Sequence, residues 1–252
     1  MGQKKIDVRA VFISDCHLLS RTSDPESLLR LLKSLKCDTL YLVGDVFDMI
    51  ALKHYRYWPR TQTDIVRRIL KMSKHCQVRY VVGNHDSIIG ELAGHIFGVV
   101  SVDHETYHMT RDGRRLLVLH GDRYDTAVIA SHWVQHAGAA CFEAVALVGR
   151  VLNRILRLFG FRPRSLAASV RRKADAACQK PSDFRRISSD DARNRGYDGI
   201  VCGHVHEPCL EIDVDGFLYA NCGDWVEHNS CIVEDREGRF RKVFTPQECP
   251  KY

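Results

Sequence analysis

The segment Leu40-Tyr41-Leu42-Val43-Gly44-Asp45-Val46-Phe47-Asp48 joins an apolar run to a glycine and two carboxylates. A short continuous apolar run, without two-residue alternation, suits a strand buried on both faces. A polar residue just past the C-terminal end of such a strand lies at the sheet edge, where open α/β proteins build their sites. The arrangement recurs on either side of this segment. Val11-Phe12-Ile13 precedes Ser14-Asp15-Cys16-His17, and Val78-Arg79-Tyr80-Val81-Val82 precedes Gly83-Asn84-His85-Asp86. Leu116-Leu117-Val118-Leu119 precedes His120-Gly121-Asp122, and Ile200-Val201-Cys202 precedes Gly203-His204-Val205-His206. Five strand ends are therefore expected to converge on one cleft. Gly44, Gly83, Gly121 and Gly203 are expected to supply the tight turns, by positive φ and by close backbone approach.

Carboxylates, an amide oxygen and imidazoles form a borderline-hard donor set that suits Mn²⁺, Zn²⁺, Fe or Mg²⁺; a soft site would use close cysteine pairs, and the chain has no Cys-x-x-Cys. Two metals about 3.5–4 Å apart need a bridging carboxylate, and they act on phosphorus by clamping the attacking and leaving oxygens. Asp45 is the natural bridge. A lone Asp-x-His or Gly-Asp is ordinary turn chemistry, whereas five such blocks in order, each after a strand, point to a two-metal phosphoesterase.

These blocks resemble those of the calcineurin-like metallophosphoesterase superfamily, which read Asp-x-His, Gly-Asp, Gly-Asn-His-Asp/Glu, a His, and Gly-His-x-His. The resemblance runs from Asp15 to His206. It implies an α/β fold, an αββα sandwich with mixed sheets. It also implies that Asp15, His17, Asp45 and His206 hold one metal while Asp45, Asn84, His120 and His204 hold the other. His85 would stand beside the phosphoryl group as acid or electrostatic stabiliser. Asp86 and Asp122 are expected either to orient an imidazole from behind, since metal-bound His donates its other N–H to a carboxylate or carbonyl, or to cap a helix.

The 252 residues, 45% of them hydrophobic, suffice for one substantial core, so a single domain over 1–252 is expected. The chain starts Met1-Gly2-Gln3-Lys4-Lys5 with no apolar leader, and no run of eighteen apolar residues follows, so a cytoplasmic protein without a membrane span is expected. Ten scattered cysteines read as reduced thiols. Cys16, between two expected ligands, reads as an oxidation-sensitive spot.

Leucines at 28, 31, 32 and 35 behind Asp24-Pro25 predict a helix over 24–35, and Ile65, Ile69, Leu70 and Met72 predict another over 63–74. Both are read as crossover helices of a βαβ scaffold. Strands over 106–110 and 114–119 flank the turn Arg111-Asp112-Gly113, and further strands over 209–214, 217–220, 230–234 and 240–244 lead to the expectation of an antiparallel second half. Tyr55, Tyr57, Trp58 and Arg60 read as packing rather than as a base-binding platform.

Residues 124–195 have helical periodicity and form an insertion that a two-metal sandwich does not require. Over 145–161 an apolar surface is joined by Arg150, Arg154 and Arg157 on one face. Such a basic amphipathic segment suits an anionic membrane or a pocket for acyl chains and phosphates; the alternative is a core helix with a solvated arginine stripe. With this insertion, Ser-Asp-x-His-Leu, Gly-Asp-x-Phe-Asp and the late Asn221-Cys222-Gly223-Asp224-Trp225, the whole chain resembles the UDP-2,3-diacylglucosamine pyrophosphatase family of lipid A synthesis. The resemblance implies Mn²⁺-dependent hydrolysis of a nucleotide-linked glycolipid at the inner face of a bacterial membrane, giving UMP and an acylated sugar phosphate, with the insertion as a lid and Arg150, Arg154 and Arg157 as its cations.

One departure stands out: the best-known members carry Arg where this chain has His85, which brings other phosphorylated amphiphiles into view. The net charge of +6 also suits a metal-dependent nuclease, but the insertion is aliphatic and offers no aromatic stacking platforms, so no nucleic-acid partner is expected. A non-catalytic scaffold would have lost ligands, and none is missing.

Overall fold

A computed structural model describes residues 6–52, 58–125 and 181–245. Strand β1 (Ile6–Ile13) pairs in parallel with β2 (Leu35–Val43), β2 with β3 (Gln77–Val81), and β3 with β5 (Val100–Asp103). The two-residue β4 (Ile96–Phe97) closes one edge antiparallel to β5. Helix α1 (Pro25–Ser34) forms the first crossover. The Asp24 side chain accepts the Ser27 N–H at 3.0 Å, Pro25 occupies the first turn, and extended Leu35 ends the helix directly at β2. Helix α3 (Arg60–Met72) forms the second crossover. It starts three residues before its predicted position, because Pro59 in extended geometry already marks the entry.

Register explains the unbroken apolar runs. Val11, Ile13, Leu40 and Leu42 lie in one core cluster with Leu28, Leu31, Leu32, Ile65, Ile69 and Met72 of the two helices. The alternate residues Ala10, Phe12, Tyr41 and Val43 lie in a second cluster with Leu116, Val118, Val201, Leu218 and Ala220 of the other sheet. Each strand is thus buried on both faces, which removes the polar alternation of a half-exposed strand.

That other sheet has the order β6 (Glu105–Met109), β7 (Arg115–Leu119), β8 (Gly199–Cys202), β10 (Leu218–Asn221) and β9 (Cys209–Ile212). The expected antiparallel second half is corrected here. The central β7, β8 and β10 run parallel, and only the outer β6 and β9 are antiparallel to their neighbours. The last hairpin, β11 (Ser230–Glu234) and β12 (Phe240–Phe244), leaves this sheet and pairs with β1, so both sheets are mixed. A buried polar relay joins the sheets: Tyr41 Oη lies 3.1 Å from His108 Nδ1, and His108 Nε2 lies 2.9 Å from Glu234 Oε2. Glu234 also accepts from Arg9 and from the Arg111 N–H, so its charge is compensated.

By internal packing the chain divides into two compact units, residues 1–122 with 188–252 and residues 123–187. The division falls inside helix α4 (Pro181–Asn194), which precedes β8. In the smaller unit the rings of Tyr124 and Phe184 meet edge to face at 6.1 Å. The predicted helix over 145–161, with Arg150, Arg154 and Arg157, lies outside the described residues, as do Tyr55 and Tyr57. No helix among the described residues is long and apolar enough to cross a membrane.

Candidate metal centre

The loops that follow the strands have unusual backbone. Asp15, His17, Asp45, His204 and His206 all have positive φ, between 43° and 69°. Left-handed backbone costs a non-glycine residue about 1–2 kcal/mol, so the surroundings must hold each one in place. They do so by pairing loop with loop. Asp15 N–H donates to the Gly44 carbonyl at 3.1 Å, His17 N–H to Asp45 at 2.9 Å, Leu18 N–H to Val46 at 3.0 Å and Gly203 N–H to His120 at 3.0 Å.

The motif glycines serve two different needs. Gly44 and Gly121 have positive φ, at 78° and 112°. Gly83 and Gly203 do not, which corrects that part of the expectation; their need is steric. A Cβ on Gly83 would strike the Asp45 carboxylate, one on Gly203 would strike Asp15 and Ser14, and one on Gly44 would strike the His120 ring. Hydrogen at these three positions is what lets the side chains close in.

The side chains meet in three overlapping groups: Asp15 with His17 and His206, Asp15 with Asp45 and His120, and His17 with Asp48 and His85. Asp15 Oδ1 is 3.2 Å from His206 Nε2 and 3.8 Å from His17 Nε2, and the two imidazole nitrogens are 3.3 Å apart. His120 Nε2 lies 3.3 Å from Asp45 Oδ2 and 3.2 Å from Asn84 Oδ1. The same Asp45 oxygen is 3.9 Å from His17 Nε2, so it stands between the first two groups. Ligand atoms about 2.0–2.2 Å from a divalent ion and about 90–110° apart around it lie roughly 3.0–3.5 Å from one another. Most of the observed spacings fall in or just above that interval, and the oxygen and imidazole donors fit a divalent cation. His204 lies alongside: its N–H donates to Asp15 Oδ2 at 2.9 Å and its ring is 5.3 Å from that of His120.

Asp15 is wholly buried. Burial raises its carboxyl pKa, but His120, His17 and His206 outweigh that and hold it far below the usual range. Burial pulls the His120 imidazole down, while Asp15 and Asp45 push it up further, to about 10. Without a cation, protons on imidazole balance the carboxylates; a bound divalent ion would displace them. His120 is oriented by the Val43 carbonyl, which lies 3.1 Å from its Nδ1 and directs Nε2 to the cluster.

Asp86 does not orient an imidazole, and its side chain does not cap the short 3-10 helix that follows it. It accepts from the Gly83 N–H at 2.6 Å, the Val46 N–H at 2.9 Å and the Tyr80 hydroxyl at 2.5 Å. It thus ties the β2 and β3 loops together through backbone. Burial raises its carboxyl pKa. Asp122 opens a 3-10 turn, and its charge is among those that push His120 up. Cys16 is corrected as well. It is 1% exposed and burial pushes its thiol up, so it is an inert core residue and not an oxidation-sensitive one.

His85 stands at the rim, half-buried. Its N–H donates to Asp45 Oδ1 at 2.8 Å, its ring meets His17 edge-on at 4.7 Å, and its Nδ1 is 3.2 Å from Asp48 Oδ1. Asp48, quoted in its motif but given no role by sequence reasoning, also lies 3.9 Å from His17 Nδ1 and caps α2 (Met49–Leu52) by accepting the Ala51 N–H. Its position three residues after Asp45, in the same turn, was the available signal. The late Asn-Cys-Gly-Asp-Trp segment supports the site from behind. Asn221 donates to the Gly203 carbonyl at 2.6 Å, Trp225 N–H to the Asp15 carbonyl at 3.0 Å, and the Ser14 hydroxyl to Gly223 at 3.0 Å. Trp58 stacks on Phe47 with ring centres 5.9 Å apart. Arg60 opens α3.

Residues 8–208 match a family model described as calcineurin-like phosphoesterase. Among curated proteins, the UDP-2,3-diacylglucosamine hydrolase of Vibrio cholerae serotype O1 is 22% identical over 264 residues, covering 91% of this chain and 96% of its own. The protein of that name from Xanthomonas campestris pv. campestris is 27% identical over 251 residues, covering 90% and 96%. That from Chromohalobacter salexigens is 26% identical over 229 residues, covering 85% and 88%.

Proposed function

Because the chain belongs to the calcineurin-like phosphoesterase family and is therefore a hydrolase of phosphoesters or phosphoanhydrides, we propose that it cleaves the pyrophosphate of UDP-2,3-diacylglucosamine to UMP and acylated glucosamine 1-phosphate. The observation that carries the substrate is coverage: the relatives bearing that name align along nearly the whole of both chains. The chemistry rests on the side chains that converge at metal-ligand spacing.

In this reading Asp15, His17, Asp45 and His206 hold one divalent cation, Asp45, Asn84, His120 and His204 hold the second, and Mn²⁺ is the physiological choice over Zn²⁺, Fe or Mg²⁺. When bound, the pair supplies Lewis acidity at the phosphoryl oxygens and acidifies water near neutral pH. Asp45, whose Oδ2 lies 3.3 Å from His120 Nε2 and 3.9 Å from His17 Nε2, would be the carboxylate that the two ligand sets share. His120, pinned by Val43, presents a single nitrogen. The Nδ1 of His85 lies 3.2 Å from Asp48 Oδ1, and in this reading Nε2 stabilises charge on the phosphoryl oxygens or gives a proton to the leaving group. A UMP leaving group departs readily, so charge stabilisation is the larger part.

In this reading the chain acts as one metallophosphoesterase domain over 1–252, with about 124–195 as its helical insertion. In this reading Arg150, Arg154 and Arg157 meet the phosphates or the anionic inner-membrane surface, and the protein is peripheral there. A related phosphorylated amphiphile is the second reading, favoured by His85 standing where the best-known members of the resembling family carry Arg.

The test is Mn²⁺-dependent release of UMP from UDP-2,3-diacylglucosamine, with the Asp45→Ala protein as blank. Release supports the substrate. Absence of release, from protein that still cleaves bis-(p-nitrophenyl) phosphate, overturns the substrate and leaves the two-metal chemistry standing. Hydrolysis of single-stranded DNA that falls steeply with salt would favour a nuclease instead.

A further inference from the structure

Strands β2 and β3 run parallel, so both carry their metal-site loops at one end, and the other end holds a pair of thiols. Cys37 lies in β2 two residues before Thr39, and Cys76 lies one residue before Gln77, the β3 partner of Thr39; both side chains pack into the same helix-facing core. Cys37 is 7% exposed and Cys76 partly exposed. Both line a surface pocket of about 230 Å³ together with Arg68, Lys71, His75 and Arg236. Lys36, Arg68, Lys71 and Arg236 outnumber Asp38 in its lining, so the pocket is net cationic even with Arg236 paired to Asp38, and it suits an anionic reagent.

We propose that Cys37 and Cys76 form a reversible disulfide, with an anionic low-molecular-weight disulfide of the glutathione class as oxidant. This is independent of the substrate of the metal centre. Cys76 is the attacking sulfur, because it is the more exposed of the two and shares the pocket with the Arg68 guanidinium, which favours its thiolate. Its thiolate attacks one sulfur of the reagent, forming a mixed disulfide and expelling one thiolate. Cys37 then loses its proton and attacks the Cys76 sulfur, expelling the second thiolate. Two protein thiols are oxidised and one reagent disulfide is reduced to two thiols, so the electrons balance.

The other described thiols contrast with this pair. Cys202, Cys222 and Cys231 are at most 1% exposed with thiols pushed up by burial, and Cys209 donates to Glu211. A partly exposed thiol near a cation, with a second, buried thiol beside it to resolve the mixed disulfide, is the arrangement that redox chemistry selects.

The experiment treats the full chain with oxidised glutathione, alkylates the remaining thiols, digests it and maps every cysteine by mass spectrometry. The expected result is a cross-linked peptide joining residues 37 and 76, lighter by two hydrogens than its reduced parts and lost on adding dithiothreitol. Cys37→Ser should stop at a glutathione adduct on Cys76, and Cys76→Ser should leave Cys37 reduced. Cleavage of bis-(p-nitrophenyl) phosphate by each variant checks that it is folded. A wild-type chain that keeps glutathione on Cys76 without cross-linking, or in which other cysteines react first, overturns the proposal.

Discussion

Within single strands of this molecule, two regions obey opposite rules. The bodies of β1 and β2 alternate between a helix-facing core and a sheet-facing core, with regular backbone and side chains chosen for volume. The loops a few residues further on place buried carboxylates and imidazoles on left-handed backbone, with glycines where a Cβ would collide. In the first region the protein gains stability by excluding water. In the second it accepts strain and buried charge to bring donors to metal-ligand distance. Position, not volume, is what the loops encode, so substitutions in the two regions should fail in different ways.

The largest effect should come from Asp45, the carboxylate proposed to serve both metals. Asp45→Ala is expected to lose nearly all activity, on the order of a thousandfold or more, together with one or both metals. Full metal occupancy by elemental analysis would refute the bridging role. His85→Ala should separate binding from turnover: metals retained, and turnover slower by about a hundredfold. Loss of metal from that variant would make His85 a ligand instead.

Gly83→Ala sharpens the comparison, because it adds one carbon against Asp45 without touching a donor. We expect activity and metal affinity to fall by roughly tenfold or more, as when a metal ligand's support is disturbed, with a lower melting temperature as well, because the added carbon also meets the Asp45 backbone nitrogen. The converse is Leu32→Ala in the helix-facing core, where the residue is fully buried. It should cost about 2–5 kcal/mol in denaturant unfolding and leave the activity of the folded fraction within about twofold. If Leu32→Ala lost activity as Gly83→Ala does, the two regions would not be separable.

The smallest effect concerns Asp224, whose carboxylate accepts the N–H groups of Val226, Glu227 and His228 and pairs with His228 Nδ1 at 2.6 Å. Burial raises its pKa, but these partners outweigh that and hold it below the usual carboxylate range. A carboxylate depressed on folding contributes stability that is fully present above its unfolded pKa and lost as pH falls through its folded one. The melting-temperature gap between wild type and Asp224→Ala should therefore be constant above about pH 5 and shrink below about pH 4. A gap that widened on acidification would contradict this.

The strands, both crossover helices and the residues now gathered at the centre were legible because their signals are local. An apolar run followed by Gly-Asp speaks for a strand end whatever its partner, and Asp24-Pro25 speaks for a helix start. The parallel centre of the second sheet was not legible, because pairing depends on which edges remain open once the cores are filled. The placement of β11 and β12 beside β1 has the same cause.

What the sequence by itself determined is the inventory: which side chains end each strand, in what order, and that their chemistry suits divalent cations acting on phosphorus. Only the tertiary structure decided how they meet. It turned Asp86 onto the Gly83 and Val46 amides, set Asp48 against His85, made Gly83 and Gly203 necessary for space rather than for φ, and brought Cys37 and Cys76 to one pocket. The physical reason is that hydrogen bonds, collisions and charge pairing between residues far apart in the chain act only once the strands have chosen neighbours.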